Sequence, residues 1–170
     1  MDTPATQDRP LTSLGMMALL AAQFLSALAD NAVLIVAIAI VKAEGKEHLV
    51  PLLQGAFVVP FIVLAPFAGQ IADAFPKGRV MLVANLLKVA GAVAMALGLN
   101  PAVAYNLIGI GATVYSPAKY GILSQMFGPV RLVKANGMLE GSTIAAILLG
   151  VLVGGWLADR SLALAFAGVI

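Results

Sequence analysis

Residues 14–41 form one long apolar run with a carboxylate near its middle, and that run constrains the fold more than anything else in the chain. A helix needs about 20 apolar residues to cross a bilayer core, so this run is ample for one crossing. Inside it lie Gln23, Ser26, Asp30 and Asn31. At about 1.5 Å per residue, Asp30 sits roughly 24 Å along a helix that starts at Leu14. A carboxylate at that depth costs about 2.5–3.5 kcal/mol on insertion scales. Asp30 is therefore expected to face something polar: a partner side chain, a cavity, an ion or a substrate.

The rest of the composition agrees with a membrane setting. The 170 residues are 61% hydrophobic and 11% charged, where a soluble domain carries about 25% charged residues. The mean hydropathy is +1.00. Cysteine is absent and His48 is the single histidine, which excludes disulfides, thiolate chemistry and a histidine metal cluster. No cofactor or metal is expected. A net charge of +2 argues against nucleic acid as a partner. The first apolar run is too long for a signal-peptide core and no small-residue cleavage site ends it, so it reads as a retained first membrane helix.

Taken in order, the pattern predicts a solvated cytoplasmic tail over residues 1–13, then helices over about 14–41, 49–72, 80–99, 102–118 and 138–158. A sixth begins near 161 and stops at 170 after about 15 Å, half a bilayer. The chain is therefore expected to be an all-α membrane protein: an incomplete six-helix bundle over 14–170, five full transmembrane helices and the start of a sixth, continued by further polypeptide. Pro51, Pro60 and Pro66 are expected to kink the second helix and Pro117 to break the fourth. A partly amphipathic connector carrying Arg131 and Lys134 should then lead to the fifth. With the N-terminus inside, Arg9, Lys77, Arg79, Lys119, Arg131 and Lys134 fall on the inner side and Lys42, Lys46 and Arg160 on the outer. This bias favours a cytoplasmic N-terminus. A Gly-x-x-Ala-Asp element recurs, ending at Asp73 and at Asp159. Recurrence three helices apart fits either an inverted repeat or chance in an Ala- and Gly-rich chain.

The turn after the second helix carries a family resemblance. Gly69, Asp73, Lys77, Gly78 and Arg79 follow the pattern that major facilitator superfamily transporters place between helices two and three. No arginine follows Asp73 directly, and the turn is slightly longer than the common form. Physically, the glycine permits close packing, the acid caps a helix or pairs with a base, and the bases hold the loop inside. Narrower matches run along the chain. Ala22-Gln23-Phe24-Leu25-Ser26-Ala27 with Asp30-Asn31, Tyr115-Ser116-Pro117-Ala118-Lys119-Tyr120-Gly121, and Leu132-Val133-Lys134-Ala135-Asn136-Gly137 resemble the bacterial lysophospholipid transporters of that superfamily. The resemblance covers most of residues 15–160 and only the N-terminal half of such proteins. It implies the N-terminal helix bundle of a major facilitator fold in the bacterial inner membrane, with a C-terminal bundle as its missing partner. It also implies movement of lysophosphatidylethanolamine-type lysophospholipids to the cytoplasmic face, where an acyltransferase restores the second chain. Two bundles would rock around a central site. Competing readings are another major facilitator, such as a drug–proton antiporter using Asp30, or a non-transporting membrane scaffold. An enzyme is not expected, because His48 has no acid at acyltransferase spacing.

Each candidate residue has a plainer reading beside it. On a 100° wheel Gln23, Ser26, Asp30 and Asn31 share one side, spanning about 140°. They form either a cavity stripe for an ammonium or coupling cation, or a set of structural bonds to a neighbouring helix. Lys119 would take a phosphate or reach out to headgroups. Tyr115, Ser116 and Tyr120 line the same region or belong to an interfacial aromatic belt. Lys88, which shares a face with Asn85, is expected to snorkel outward, with pairing to Asp30 or Glu140 as the sharper alternative. Glu140 is expected to form a structural ion pair with Arg131, Lys134 or Lys88. Gly69, Asp73, Lys77 and Arg79 are assigned to gating and topology. Gly137 with Gly141, and Gly150 with Gly154, should let the fifth helix approach a partner closely.

Overall fold

The computed structural model describes residues 10–169; Arg9 and the rest of the expected tail before Pro10 lie outside the described residues. The described chain is helical throughout. The helices are α1 (Leu14–Ala43), α2 (Val50–Ala74), α3 (Lys77–Ala96), α4 (Pro101–Met126), α5 (Pro129–Arg160) and α6 (Leu162–Val169), with a single 3₁₀ turn at Glu47–Leu49. By length and apolar composition, α1, α3, α5 and the unit Glu47–Ala74 can each cross a membrane. Helix α4 is as long, but Tyr105, Asn106, Thr113, Tyr115, Ser116 and Lys119 interrupt its apolar sequence. It is also the central helix, packed lengthwise between α2 and α3.

Helix ends follow local chemistry. Gly98, at φ +90°, ends α3 in the left-handed region, and its N–H donates to Met95 O. Two residues on, Asn100 caps α4 by accepting from the N–H groups of Ala102 and Val103 at 3.0 and 3.4 Å, with Pro101 in the first turn.

The helices run up and down. One apolar cluster joins Met16 and Leu19 of α1, Ala72 of α2, Val80 and Met81 of α3, Leu123 of α4 and Leu139 of α5. The start of α1, the end of α2, the start of α3, the end of α4 and the start of α5 thus share one end of the bundle. Leu11, inside the stretch expected to be solvated, packs against this cluster. The second cluster lies at the other end and draws on α1 to α4, among them Val33, Leu53, Met95 and Ile108. The polar stripe of α1 falls between the two clusters.

Two expectations are corrected at the α4–α5 junction. Pro117 does not break α4, which continues nine residues beyond it to Met126. The proline removes one N–H, but Ala118 and Leu123 are fully buried in the first cluster, and that packing keeps the extension helical. The expected connector is likewise mostly helix. Helix α5 starts at Pro129, a residue suited to a first turn, and Ala135 and Leu139 are buried. Only Phe127 and Gly128 separate the two helices.

Helix α2 is unbroken through Pro60 and Pro66. A proline at position 60 leaves the carbonyl of Ala56 without its helical partner. Asn106 of α4 supplies one, its Nδ2 donating to Ala56 O at 2.8 Å.

Small residues set the closest approaches. A Cβ on Gly150 would lie 2.5 Å from Leu28 O, and one on Gly154 2.8 Å from the Cα of Ala32, so α5 lies against α1 at both. Gly137 and Gly141 differ from expectation: a Cβ there meets nothing within 4 Å among the described residues. The same holds at Gly69, whose expected packing role therefore has no described neighbour.

Candidate functional site

The polar face of α1 meets α3 in the middle of the bundle. Lys88 Nζ lies 2.6 Å from Asp30 Oδ2 and donates to Ser26 Oγ at 2.8 Å. Ser26 in turn donates to Asn85 Oδ1 at 3.0 Å. The Lys88 and Asp30 side chains are 9% and 16% exposed. Tyr115 of α4 adds its ring, with the Lys88 ammonium 4.8 Å from its centroid. The expectation that Lys88 snorkels outward is thereby corrected in favour of its alternative, a structural pair with Asp30. A carboxylate on a neighbouring helix is within reach at 2.6 Å, and the attraction between the two charges offsets part of the cost of desolvating each.

The same polar side of α1 also reaches α5. Gln23 Nε2 donates to Thr143 Oγ1 at 2.9 Å, and Thr143 donates onward to Leu139 O at 2.9 Å. Gln23 Oε1 is buried with no partner among the described residues, and so is the Tyr115 hydroxyl. Asn31 folds back on its own helix, its Nδ2 donating to Ala27 O at 2.8 Å.

Lys119 is buried, as the cavity reading requires, but its partner is Glu140 rather than Asp30. Its Nζ is 3.9 Å from Glu140 Oε1 and 4.8 Å from the ring centroid of Tyr120. Tyr120 donates to the same Glu140 oxygen at 2.5 Å. Lys119, Tyr120 and Glu140 therefore form a second charged group, nearer the end where the basic side chains of α3 and α5 gather.

Three cavities meet at Asp30. One of about 190 Å³ lies between α1, α2, α4 and α5 and brings Gln23, Asp30 and Asn31 together with Tyr115, Ser116 and Lys119. A neighbour of about 220 Å³ extends from Asp30 and Asn31 toward Gln54, Phe57 and Tyr105. A third of about 300 Å³ lies on the α3 side, beyond Ser26, Asn85 and Lys88. Lys88 borders the first and third, so the ion pair stands between them.

Tyr120 is the one expected lining residue that borders none of these cavities. Gln54, Phe57, Phe61 and Tyr105 were not foreseen. Phe57 stacks on Tyr105 with centroids 5.0 Å apart and meets Phe61 at 5.6 Å, giving the cavity an aromatic wall. Gln54 had a legible signal, a lone amide in an apolar helix. The aromatics had none, since a phenylalanine pair four residues apart equally describes a lipid-facing stripe.

The residues assigned to gating lie away from these cavities. Lys77 Nζ is 2.6 Å from Asp73 Oδ1 across the α2–α3 turn, and Arg79 is exposed. The Lys77 stem crosses α4 at Gly121, where a Cβ would meet its Cδ at 2.6 Å.

Comparison with known proteins gives a consistent picture. The family model described as Major Facilitator Superfamily matches residues 19–170. The lysophospholipid transporter LplT of Yersinia enterocolitica serotype O:8 is 55% identical over 166 residues, covering 97% of this chain and 41% of that protein. Proteins of the same name from Yersinia pestis strain Pestoides F and Yersinia pseudotuberculosis serotype O:3 are each 56% identical over 160 residues, covering 94% of this chain and 39% of theirs. The chain thus spans about two fifths of the length of these curated relatives. No solved structure matches.

Proposed function

Because this chain belongs to the major facilitator superfamily, and so to multi-pass membrane proteins, we propose that it forms the N-terminal bundle of a lysophospholipid transporter. The observation that carries the reading is the buried Asp30–Lys88 pair at the meeting point of three cavities in a largely apolar bundle. The relatives, which are lysophospholipid transporters by name, suggest the substrate class. The transporter would sit in the bacterial inner membrane with its N-terminus in the cytoplasm. Its substrates are lysophosphatidylethanolamine-type lipids, delivered to the cytoplasmic face for re-acylation by an acyltransferase. A second bundle closes the far wall of the site, and the two rock about it. The chain performs no catalysis in this reading.

A zwitterionic head cannot cross hydrocarbon unless each charge has a partner throughout. The site offers charges of both signs. An ethanolamine ammonium entering the cavity can replace Lys88 at Asp30, while Lys88 and Lys119, which border the same space, take the phosphate. Exchange of this kind leaves no charge unpaired at any stage. That matters because a buried ion stripped of its partner costs about 3–5 kcal/mol. The acyl chain needs only apolar walls, which Phe57, Phe61 and Ile147 provide on the same cavity.

The test is uptake of labelled lysophosphatidylethanolamine into spheroplasts by the natural gene product. Wild type should take up the lipid, and Asp30→Ala and Lys119→Ala should reduce initial rates by at least about ten-fold, the loss expected for one charge-assisted contact. Uptake indifferent to both changes would remove these residues from the site. Equal movement of unrelated cationic drugs would favour a drug–proton antiporter instead.

A further inference from the structure

We infer that Gln23 and Tyr115 form a subsite for the free glycerol hydroxyl of a lysophospholipid, the group that distinguishes it from an intact diacyl lipid. The inference rests on the transport reading above and sharpens it.

Gln23 and Tyr115 are 5% and 4% exposed, and both line the cavity that holds Asp30 and Lys119. Each carries one buried polar atom without a partner among the described residues: the amide oxygen of Gln23 and the hydroxyl of Tyr115. Native proteins leave few such atoms unsatisfied, because the lost hydration is not recovered. The amide orientation follows from its neighbours. Thr143 spends its hydrogen on Leu139 O and so can only accept from Gln23. The nitrogen therefore faces Thr143, and the atom left over is a pure acceptor.

The two orphan atoms have complementary needs. Gln23 Oε1 requires a donor, and the Tyr115 phenol can donate. A hydroxyl satisfies both by donating to one and accepting from the other. The ammonium and the phosphate each have a charged partner elsewhere in the cavity. Of the four polar groups on a lysophosphatidylethanolamine, the ammonium only donates, the phosphate and the acyl ester only accept, and the glycerol hydroxyl alone can serve a neutral acceptor and a neutral donor on the same cavity. In a diacyl lipid that oxygen is esterified and has no hydrogen to give, so Gln23 Oε1 would stay unsatisfied.

The experiment uses the natural gene product in spheroplasts and three labelled lipids. These are lysophosphatidylethanolamine, its 2-deoxy analogue with hydrogen in place of the glycerol hydroxyl, and an N-trimethylated analogue that keeps the hydroxyl but has no N–H. The readout is the ratio of initial uptake rates between lipids within each variant. Wild type should prefer the hydroxyl-bearing lipid over the 2-deoxy lipid by about ten-fold, the yield of a hydrogen-bonded hydroxyl held by two partners. Tyr115→Phe, which deletes one atom, should bring that ratio to within about three-fold, as should Gln23→Leu. Neither should alter the ratio against the trimethylated lipid. Equal uptake of the first two lipids by wild type, or a ratio that survives both substitutions, overturns the subsite. Narrowing only against the trimethylated lipid reassigns Gln23 to the ammonium and overturns it too. A wild-type protein that moves none of the three lipids sinks the transport reading first, and the subsite with it.

Discussion

Asp30 makes sense only together with Lys88. Each side chain is costly alone in the bundle interior, and each is held by the other at 2.6 Å with Ser26 and the Tyr115 ring completing the shell. Removing one partner leaves the other buried and unpaired, a loss of about 3–5 kcal/mol. Lys88→Met alone should therefore lower the thermal midpoint of the detergent-solubilised protein well below that of the double variant Asp30→Leu/Lys88→Met, in which no charge remains. A single variant as stable as the double would show that the pair carries no such penalty. Sequence alone reached half of this. It identified Asp30, its polar face and the need for a partner, because an acid amid apolar residues is a local signal. It sent Lys88 outward, since long side chains near helix ends usually reach water. Which helix lies beside α1 is not written in either segment. Lys119 illustrates the same limit: a cavity position was one of the two readings its sequence left open, while its partner, Glu140, sits 21 positions away on α5.

At the scale of the element, the helices were legible from their apolar runs, and so were their limits to within three residues, except at the α4–α5 junction. Composition placed a break at Pro117 and a loop up to Gly137, whereas tertiary burial of Ala118, Leu123 and Ala135 keeps both stretches helical. The signal that competed with this error was Gly128-Pro129, a proline placed to open a helix. Prolines inside α2 are tolerated because another helix compensates. Asn106 donates to Ala56 O, the carbonyl that Pro60 frees. Asn106→Leu should cost about 1–3 kcal/mol in the native background. In a Pro60→Ala background residue 60 regains its N–H and can satisfy Ala56 within the helix, so the same substitution should cost less than about 1 kcal/mol. A double-mutant cycle on unfolding midpoints reads this coupling; strict additivity would mean the asparagine is not compensating the proline.

For the whole molecule, the two apolar clusters and the up-and-down course divide the bases between two ends. Lys77, Arg79 and Lys134 stand with the starts of α3 and α5, while Lys42 stands in the last turn of α1 and Lys46 just beyond it. The topology we propose puts the first end in the cytoplasm, on the inside-positive bias. Because this chain has no cysteine, single cysteines introduced into it report topology cleanly on this segment. A cysteine at Gly45 should react with a membrane-impermeant maleimide from the periplasmic side of intact cells, and one at Lys134 only after the membrane is opened. The reverse pattern would invert the bundle and move Lys119 and Glu140 to the outer half.

The ion pair also has a history in time. Asp30 and Lys88 are 58 residues apart in the chain. At a synthesis rate of about 5–20 residues per second, the acid emerges roughly 3–12 s before its partner exists. For that interval α1 carries its carboxylate without a partner, at an insertion cost of about 2.5–3.5 kcal/mol, in a helix otherwise apolar enough to cross the membrane. The pair that completes the folded bundle therefore forms only after α3 has joined α1 in the membrane.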